Sequence, residues 1–170
     1  MSKYLPERIF PLRLAREEHR LRGSISTQPM LRLKRELAFS PTEVDVDLFF
    51  RMSKDCQHLA KGVVWATCAF VCQRCLDQLL VKVEAKIQVN LVSEGEAHEP
   101  RDFCEFIAIG DSGISLSTWM EDELLLAIPQ VPVHNYDCTT EDIRRALSGQ
   151  SGQVAENRPF AGLSSLAKHN

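Results

Sequence analysis

Residues 79–92 carry the pattern that most constrains the fold, a nearly unbroken alternation of apolar and polar side chains. The apolar positions are Leu79, Val81, Val83, Ala85, Ile87, Val89 and Leu91. Because successive side chains of a strand point to opposite faces, this period of two predicts a strand with one buried face. Residues 62–71 are also apolar, and only Cys72 to Gln78 separate the two segments. We therefore predict a long antiparallel hairpin.

Further strands and helices flank this hairpin. Residues 43–50 alternate in the same way, and residues 104–109 predict another strand. Residues 10–22 place leucines and charged side chains on opposite sides at helical spacing. Thr118 and Glu121 have the spacing of a capping box, in which each side chain satisfies a free backbone donor, so a helix is expected from about Trp119.

These elements predict an α+β fold. Its centre is a curled antiparallel sheet with the long hairpin, flanked by N- and C-terminal helices, and such a sheet could close partly into a barrel. We expect one domain in residues 1–147, a flexible linker in residues 148–157 that is rich in glycine and polar residues, and a C-terminal docking segment in residues 158–170.

The composition of the chain indicates where in the cell the protein is located. No apolar run approaches the roughly 18 residues that a membrane helix needs, and charged residues interrupt any N-terminal export signal. We therefore expect a cytoplasmic protein without a membrane partner. In that reducing compartment the six cysteines are expected to be thiols, and closely spaced ones are candidate metal ligands.

Charge is unevenly distributed along the chain. Residues 1–35 contain nine basic and three acidic side chains, a net +6, whereas the whole chain has −3. Such a segment can contact a polyanion such as RNA, or it can be the solvated face of a helix, and charge alone does not separate the two. The candidate RNA-binding residues are Arg13, Arg16, Arg20 and Arg22.

The cysteine pair Cys72-x-x-Cys75 lies at the predicted hairpin tip. Two thiolates at this spacing can bind a tetrahedral zinc ion, and His134 and Cys138 would complete a Cys3His site if the fold brings them to the tip. The alternative is that these cysteines are small apolar residues of a turn or core. Zinc is the possible cofactor.

Catalytic motifs are missing from the sequence. It contains no phosphate-binding glycine loop, dinucleotide fingerprint or GxSxG turn, and no histidine stands in a recognisable catalytic motif. We therefore expect a protein that acts by binding.

The C-terminal segment is a candidate for docking. Phe160, Leu163 and Leu166 recur at every third position, so a short helix would gather them on one apolar face. So short a helix is marginal alone in water, and it would pack either on its own domain or on a partner protein.

Three motifs together resemble the YceD family over roughly residues 8–168. They are Cys72–Leu76 before an alternating strand, Met120 to His134 followed by Cys138, and Arg158 to Lys168. Some members have two further cysteine pairs where this chain has His134 to Cys138. Because this chain lacks the second of those pairs, the resemblance leaves one candidate set of metal ligands, which consists of Cys72, Cys75, His134 and Cys138.

The resemblance implies a function in large-subunit ribosome biogenesis. Members of this family affect the synthesis, processing or stability of 23S ribosomal RNA in bacteria and chloroplasts, and it implies no catalytic residue. The expected partner is ribosomal RNA or an early large-subunit particle. Two alternatives remain, a protein-protein adaptor that affects the RNA indirectly and an RNA-processing enzyme.

Overall fold

A five-stranded sheet organises the N-terminal part of the protein. The computed structural model describes residues 4–53, 58–95, 106–139, 141, 144 and 145. The chain forms two compact units, Met1–His134 and Asn135–Asn170. The strands and helices of the first unit are β1 (Arg8–Ile9), α1 (Pro11–Arg16), β2 (Arg20–Ser26), α2 (Leu31–Glu36), β3 (Glu43–Met52), β4 (His58–Val71), β5 (Gln78–Ser93), β6 (Phe106–Ile109), β7 (Ile114–Ser115) and α3 (Leu116–Ala127).

The predicted hairpin is confirmed and is the centre of the sheet. β4 pairs antiparallel with β5 over its whole length, from His58 opposite Leu91 to Val71 opposite Gln78. The strand order is β2-β3-β4-β5-β6, and all neighbours are antiparallel except β5 and β6, which run parallel. Among the described strands, β2 and β6 are the edges of the sheet and do not pair with each other, and Tyr4 bridges to Ser24 on the outer side of β2. The expected partial closure into a barrel is therefore not supported, and the fully antiparallel sheet is corrected to a mixed one.

One face of the sheet carries the core. The alternating apolar side chains of β3, β4 and β5 point to this inner face, where buried residues of the helices pack against them. Burial of each large aliphatic or aromatic side chain stabilises the fold by roughly 1.5–3 kcal/mol. The buried helix residues are Ala15, Leu33, Leu116, Trp119, Met120 and Leu124.

The prediction of one helix over residues 10–22 is wrong in its second half. α1 ends at Arg16, and Glu18 has a positive φ of 48°, which turns the chain. Arg20 and Arg22 then belong to β2, which pairs with β3 and buries Leu21. Leucine and arginine fit either element, and the unpaired backbone of β3 favours the strand because it supplies ladder hydrogen bonds.

The predicted helix near Trp119 is present, but its start differs from the prediction. α3 begins at Leu116, and the Ser115 hydroxyl accepts the N-terminal hydrogen bond from the Thr118 N–H at 3.3 Å. Glu121 does not form a capping box with Thr118. Its carboxylate instead reaches α2, 88 residues earlier in the sequence.

Glu121 caps the N-terminus of α2 from α3. One carboxylate oxygen accepts the backbone N–H groups of Arg32 at 2.7 Å and Leu33 at 3.0 Å, and the other accepts the Arg32 guanidinium at 2.8 Å. The first turn of α2 lacks a side-chain cap of its own. The carboxylate, which is 6% exposed, therefore satisfies free helix donors and complements the helix dipole.

The second unit is described at only a few positions. Asp137 accepts the Thr139 N–H at 3.0 Å and forms an ion pair with Arg144. The predicted linker in residues 148–157 and the docking residues Phe160, Leu163 and Leu166 lie outside the described residues. None of the helices in the described ranges is long and apolar enough to span a bilayer.

Replacing Glu121 by glutamine should reduce the free energy of unfolding by about 2 kcal/mol, because it removes the buried charge that accepts two backbone N–H groups and the half-exposed Arg32 guanidinium, and an amide matches these donors less well. Burial raises the pKa of Glu121, but the hydrogen bonds from Leu33 and Arg32 outweigh it and hold the pKa below its ordinary value of 4.5. The stability difference between wild type and variant should therefore be full above pH 4.5 and shrink as the pH falls through the lower folded-state pKa. Urea denaturation across this range measures it.

Asp122→Asn is the matched control. Asp122 also pairs with Arg32, at 2.6 Å, but its side chain is 52% exposed, so its loss should cost less than about 1 kcal/mol. Equal losses for the two variants would contradict the capping role of Glu121.

Candidate metal centre

The tip of the β4–β5 hairpin holds two of the predicted ligands, Cys72 and Cys75. The Cys72 N–H donates to the Asp77 carbonyl at 2.9 Å, and the Leu76 N–H donates back to the Cys72 carbonyl at 2.9 Å. Leu76 completes the turn with a positive φ of 64°. This tight turn directs the Cys72 and Cys75 thiols to the same region, as the CxxC spacing predicts.

The chain after α3 returns to this tip. Pro129 and Pro132 cannot continue the helix, and the extended chain between them and His134 runs beside the turn. The Gln73 N–H donates to the Pro132 carbonyl at 2.9 Å, and the Arg74 guanidinium donates to the His134 carbonyl at 2.9 Å. These two hydrogen bonds hold His134 beside the cysteine pair.

Three candidate ligand atoms converge within the first unit. The sulfurs of Cys72 and Cys75 and a ring nitrogen of His134 lie within 4.8 Å of one another, and Cys75 Sγ is 3.4 Å from His134 Nδ1. Ligand sulfurs around a tetrahedral zinc ion, with bonds of about 2.3 Å, stand about 3.8 Å apart. Small side-chain movements would therefore bring these atoms to zinc-binding distances.

The environment of Cys72 favours its thiolate. Burial by itself raises the pKa of this thiol. The backbone N–H groups of Cys75, Arg74 and His134 and the Cys75 thiol together have a larger, opposite effect, and the pKa falls to about 5. By contrast, burial alone raises the pKa of Cys68 to about 11. A metal ligand must be the thiolate, so Cys72 has the chemistry of a ligand and Cys68 that of an apolar core residue.

Cys138 is the fourth ligand that the sequence predicts. It belongs to the second unit, four residues after His134. Four residues of chain extend at most about 14 Å, so the connection leaves its thiol within reach of His134. Three thiolates and one imidazole form a donor set that structural zinc sites use.

The candidate RNA-binding arginines do not form one group. Arg13 and Arg16 lie on α1, where Arg13 pairs with Glu17 at 2.8 Å. Arg20 and Arg22 lie on β2, two residues apart, and so share the outer face of the sheet. The structure therefore replaces one basic helix face by two separate pairs of arginines.

Sequence reasoning missed Arg74, which lies inside the CxxC motif and binds the His134 carbonyl. It also missed the backbone donors around Cys72. A basic side chain between two close cysteines is the sequence signal that could have suggested the first. Two of these donors, those of Cys75 and Arg74, belong to the motif itself, and the third belongs to His134, sixty residues after Arg74, and leaves no local signal.

Comparison with known proteins identifies relatives of the chain. Residues 60–167 match the family model described as "Large ribosomal RNA subunit accumulation protein YceD". The chain is 26% identical to the Haemophilus influenzae protein of that name over 171 aligned positions, which cover 95% of each chain. No solved structure matches the chain.

The convergence of these ligands predicts about one zinc ion per chain in protein purified without a chelator. Cys72→Ser should abolish zinc retention, because it removes the thiol whose pKa of about 5 makes it a thiolate at neutral pH. Cys68→Ala is the matched control, since Cys68 is buried outside the cluster, and it should retain zinc. Metal content after dialysis, measured by mass spectrometry, tests this prediction, and a folded wild-type protein without zinc would contradict it.

Proposed function

Because this chain belongs to the YceD family of large ribosomal RNA subunit accumulation proteins, we propose that it is an accessory factor for the accumulation of 23S ribosomal RNA. We infer that it acts by binding ribosomal RNA or an early large-subunit particle, in the bacterial cytoplasm, and not by catalysis. The match over 95% of the length of the Haemophilus influenzae protein is the observation that carries this proposal.

The candidate metal centre supports a binding role. Cys72, Cys75 and His134 join a hairpin turn to a segment that follows α3, and with the predicted fourth ligand Cys138 they would supply the donor set of a structural zinc site. A zinc ion with four protein ligands keeps no open position for water or substrate. We therefore propose that zinc fixes the shape of the hairpin tip.

A protein-protein adaptor is the second candidate, and one surface favours it. Near the hairpin tip, Ala69 pairs with Leu80 on one side and bridges to Phe39 on the other, so these side chains form a row across the outer face. Phe39 is 71% exposed and Leu80 is 67% exposed. Exposed apolar side chains that adjoin one another are typical of protein contacts.

Deletion of the gene in its own bacterium should lower the ratio of large-subunit to small-subunit ribosomal RNA. RNA quantification, with mapping of the 23S precursor ends, measures both the amount and the processing step. A plasmid copy of the wild-type gene is the control and should restore the ratio. An unchanged ratio together with unchanged ends would refute the proposed function.

Truncation after Asn157 should leave the melting temperature nearly unchanged and impair ribosomal RNA accumulation in cells. The reason is that Phe160, Leu163 and Leu166 form an anchor pattern for a partner protein, at the end of a polar, glycine-containing linker. Calorimetry and the RNA ratio test the two parts of this prediction. A large fall in melting temperature would show that the segment completes the core instead.

A further inference from the structure

A depression of about 500 Å³ opens on the outer face of the sheet, opposite the face that carries the core. It is lined by Arg20, Asp47, Phe49, Lys61, Gly62 and Val63. Gly62 permits the close approach of β3 that shapes this surface, because a Cβ atom there would lie 2.0 Å from the Asp47 carbonyl oxygen. The depression belongs neither to the core nor to the cysteine cluster.

Strand register places an aromatic ring between two cations in this depression. Phe49 of β3 lies opposite Arg20 of β2 and opposite Lys61 of β4. Because neighbouring strands are about 4.8 Å apart, Arg20 and Lys61 stand roughly 10 Å apart, on either side of Phe49. Phe49 is 39% exposed in a position where most strands carry a polar side chain.

The adjacent row adds two more cations. Arg22, Asp47, Val63 and Lys86 follow one another across β2, β3, β4 and β5. The two rows together therefore contain four cations and one carboxylate. That carboxylate is already engaged, since Asp47 accepts two hydrogen bonds from Arg20, both at 2.7 Å. The Arg20 hydrogen bonds hold the pKa of Asp47 below its ordinary value.

The ion pair with Asp47 fixes the Arg20 guanidinium and leaves part of it available. Two of its five donors point to Asp47, and the Arg20 side chain is 60% exposed, so the remaining donors can reach a phosphate. A guanidinium held in this way loses little entropy when a ligand binds.

One row further toward the hairpin tip, the charge of the outer face changes from positive to negative. There Trp65 of β4 lies between Asp45 of β3 and Glu84 of β5. Lys82 lies over the Trp65 ring at 5.7 Å and pairs with Glu84 at 2.7 Å. This row repels a polyanion, so the positive region is confined to the rows around Phe49.

From these observations we propose that the depression around Phe49 binds single-stranded RNA. An unpaired base stacks on the Phe49 ring, while Arg20, Arg22, Lys61 and Lys86 contact the flanking phosphates. Proteins combine aromatic platforms with cationic grooves in this way to bind single strands. The site rests on the proposed function, since it supplies a direct RNA contact for a factor that supports ribosomal RNA accumulation.

Single-stranded RNA fits this surface better than two other polyanions. A duplex hides its bases, so it would gain nothing from an exposed phenylalanine ring. An acidic peptide would satisfy the cations but has no planar ring system to stack on Phe49. The two ligand classes therefore make different predictions for variants of Phe49.

The test measures binding of a fluorescently labelled single-stranded RNA of mixed sequence, about 16 nucleotides long, to the full-length protein by fluorescence anisotropy. Phe49→Ala should weaken binding at least about fivefold, because loss of one base-aromatic stack has at least this effect. Phe49→Trp should retain binding. In the double variant Lys61→Gln and Lys86→Gln, the slope of log affinity against log salt should fall by about 0.7 for each lost phosphate contact.

Matched variants on the same face control for general loss of charge or apolar area. Lys82→Gln removes a lysine from β5 in the row next to the one that repels RNA, and Leu80→Ala removes an exposed apolar side chain near the hairpin tip. Both should bind the RNA as the wild type does. Melting temperatures of all variants identify any that fail to fold. If Phe49→Ala is unstable, Phe49→Trp replaces it in the test, and a loss of binding in folded Phe49→Trp would contradict the stacking contact.

Three results would overturn the site. They are equal affinity for single-stranded and duplex RNA, equal displacement of the RNA by polyglutamate, and unchanged affinity in Phe49→Ala. The deletion experiment, taken together with the binding assay, separates this site from the proposed function. If deletion lowers the ribosomal RNA ratio but Phe49→Ala binds RNA as the wild type does, the site fails and the function stands. If deletion leaves the ratio unchanged, the proposed function fails whatever the binding assay shows.

Discussion

The pairing of β4 with β5 is the interaction on which the rest of the structure depends. It extends over all fourteen residues of β4, and it turns one side of both strands into a continuous apolar surface. That surface can be removed from water only if helices cover it, so α1, α2 and α3 pack on the inner face. The same pairing extends beyond the core to the turn that holds Cys72 and Cys75. The candidate metal centre is therefore built on the most extensively paired element of the sheet.

The hairpin also shows how one strand can place two cysteines in different chemical settings. Cys68 points into the core, where burial raises its pKa to about 11 and keeps the thiol neutral. Cys72 lies four residues later at the turn, where the backbone N–H groups of Cys75, Arg74 and the returning His134 outweigh the effect of burial and lower its pKa to about 5. The N–H groups of Cys75 and Arg74 take no part in the sheet ladder, because the pairing of β4 with β5 ends at Val71 and Gln78. This difference supports a ligand role for Cys72 alone of the two.

The two faces of the sheet differ in function: the inner face packs against the helices, and the outer face carries the proposed RNA-binding surface. Packing of the helices on the inner face leaves the outer face to charged and aromatic side chains. Along β2, β3 and β4 these side chains sort into a positive region around Phe49 and a negative row at Trp65. The Arg20–Asp47 pair lies between strands of the positive region and orders it without neutralising it, since Asp47 is one carboxylate beside the four cations Arg20, Arg22, Lys61 and Lys86, and Arg22 approaches it only to 3.9 Å.

The sequence by itself determined the elements whose signal is local. The hairpin, β3 and the end of α3 were predictable because alternation and proline act through the residues that carry them. Of the predicted metal ligands, Cys72 and Cys75 were predictable as a pair because they are close in sequence. The position of His134 beside them depends on the hydrogen bonds from Gln73 and Arg74 to the returning chain. The C-terminal predictions lie outside the described residues.

Tertiary structure alone decided the conformation of residues 17–22, the direction of β6 and the role of Glu121. Arg20 and Leu21 fit a helix or a strand, and β3 decided between them by offering an unpaired edge. Glu121 was spaced for a local cap, but the uncapped first turn of α2 attracts its carboxylate more strongly. The RNA-binding surface that we propose likewise exists only after β2, β3 and β4 come into register. In each case the deciding partner is distant in sequence, so its hydrogen bonds and charges enter the balance only once the chain has folded.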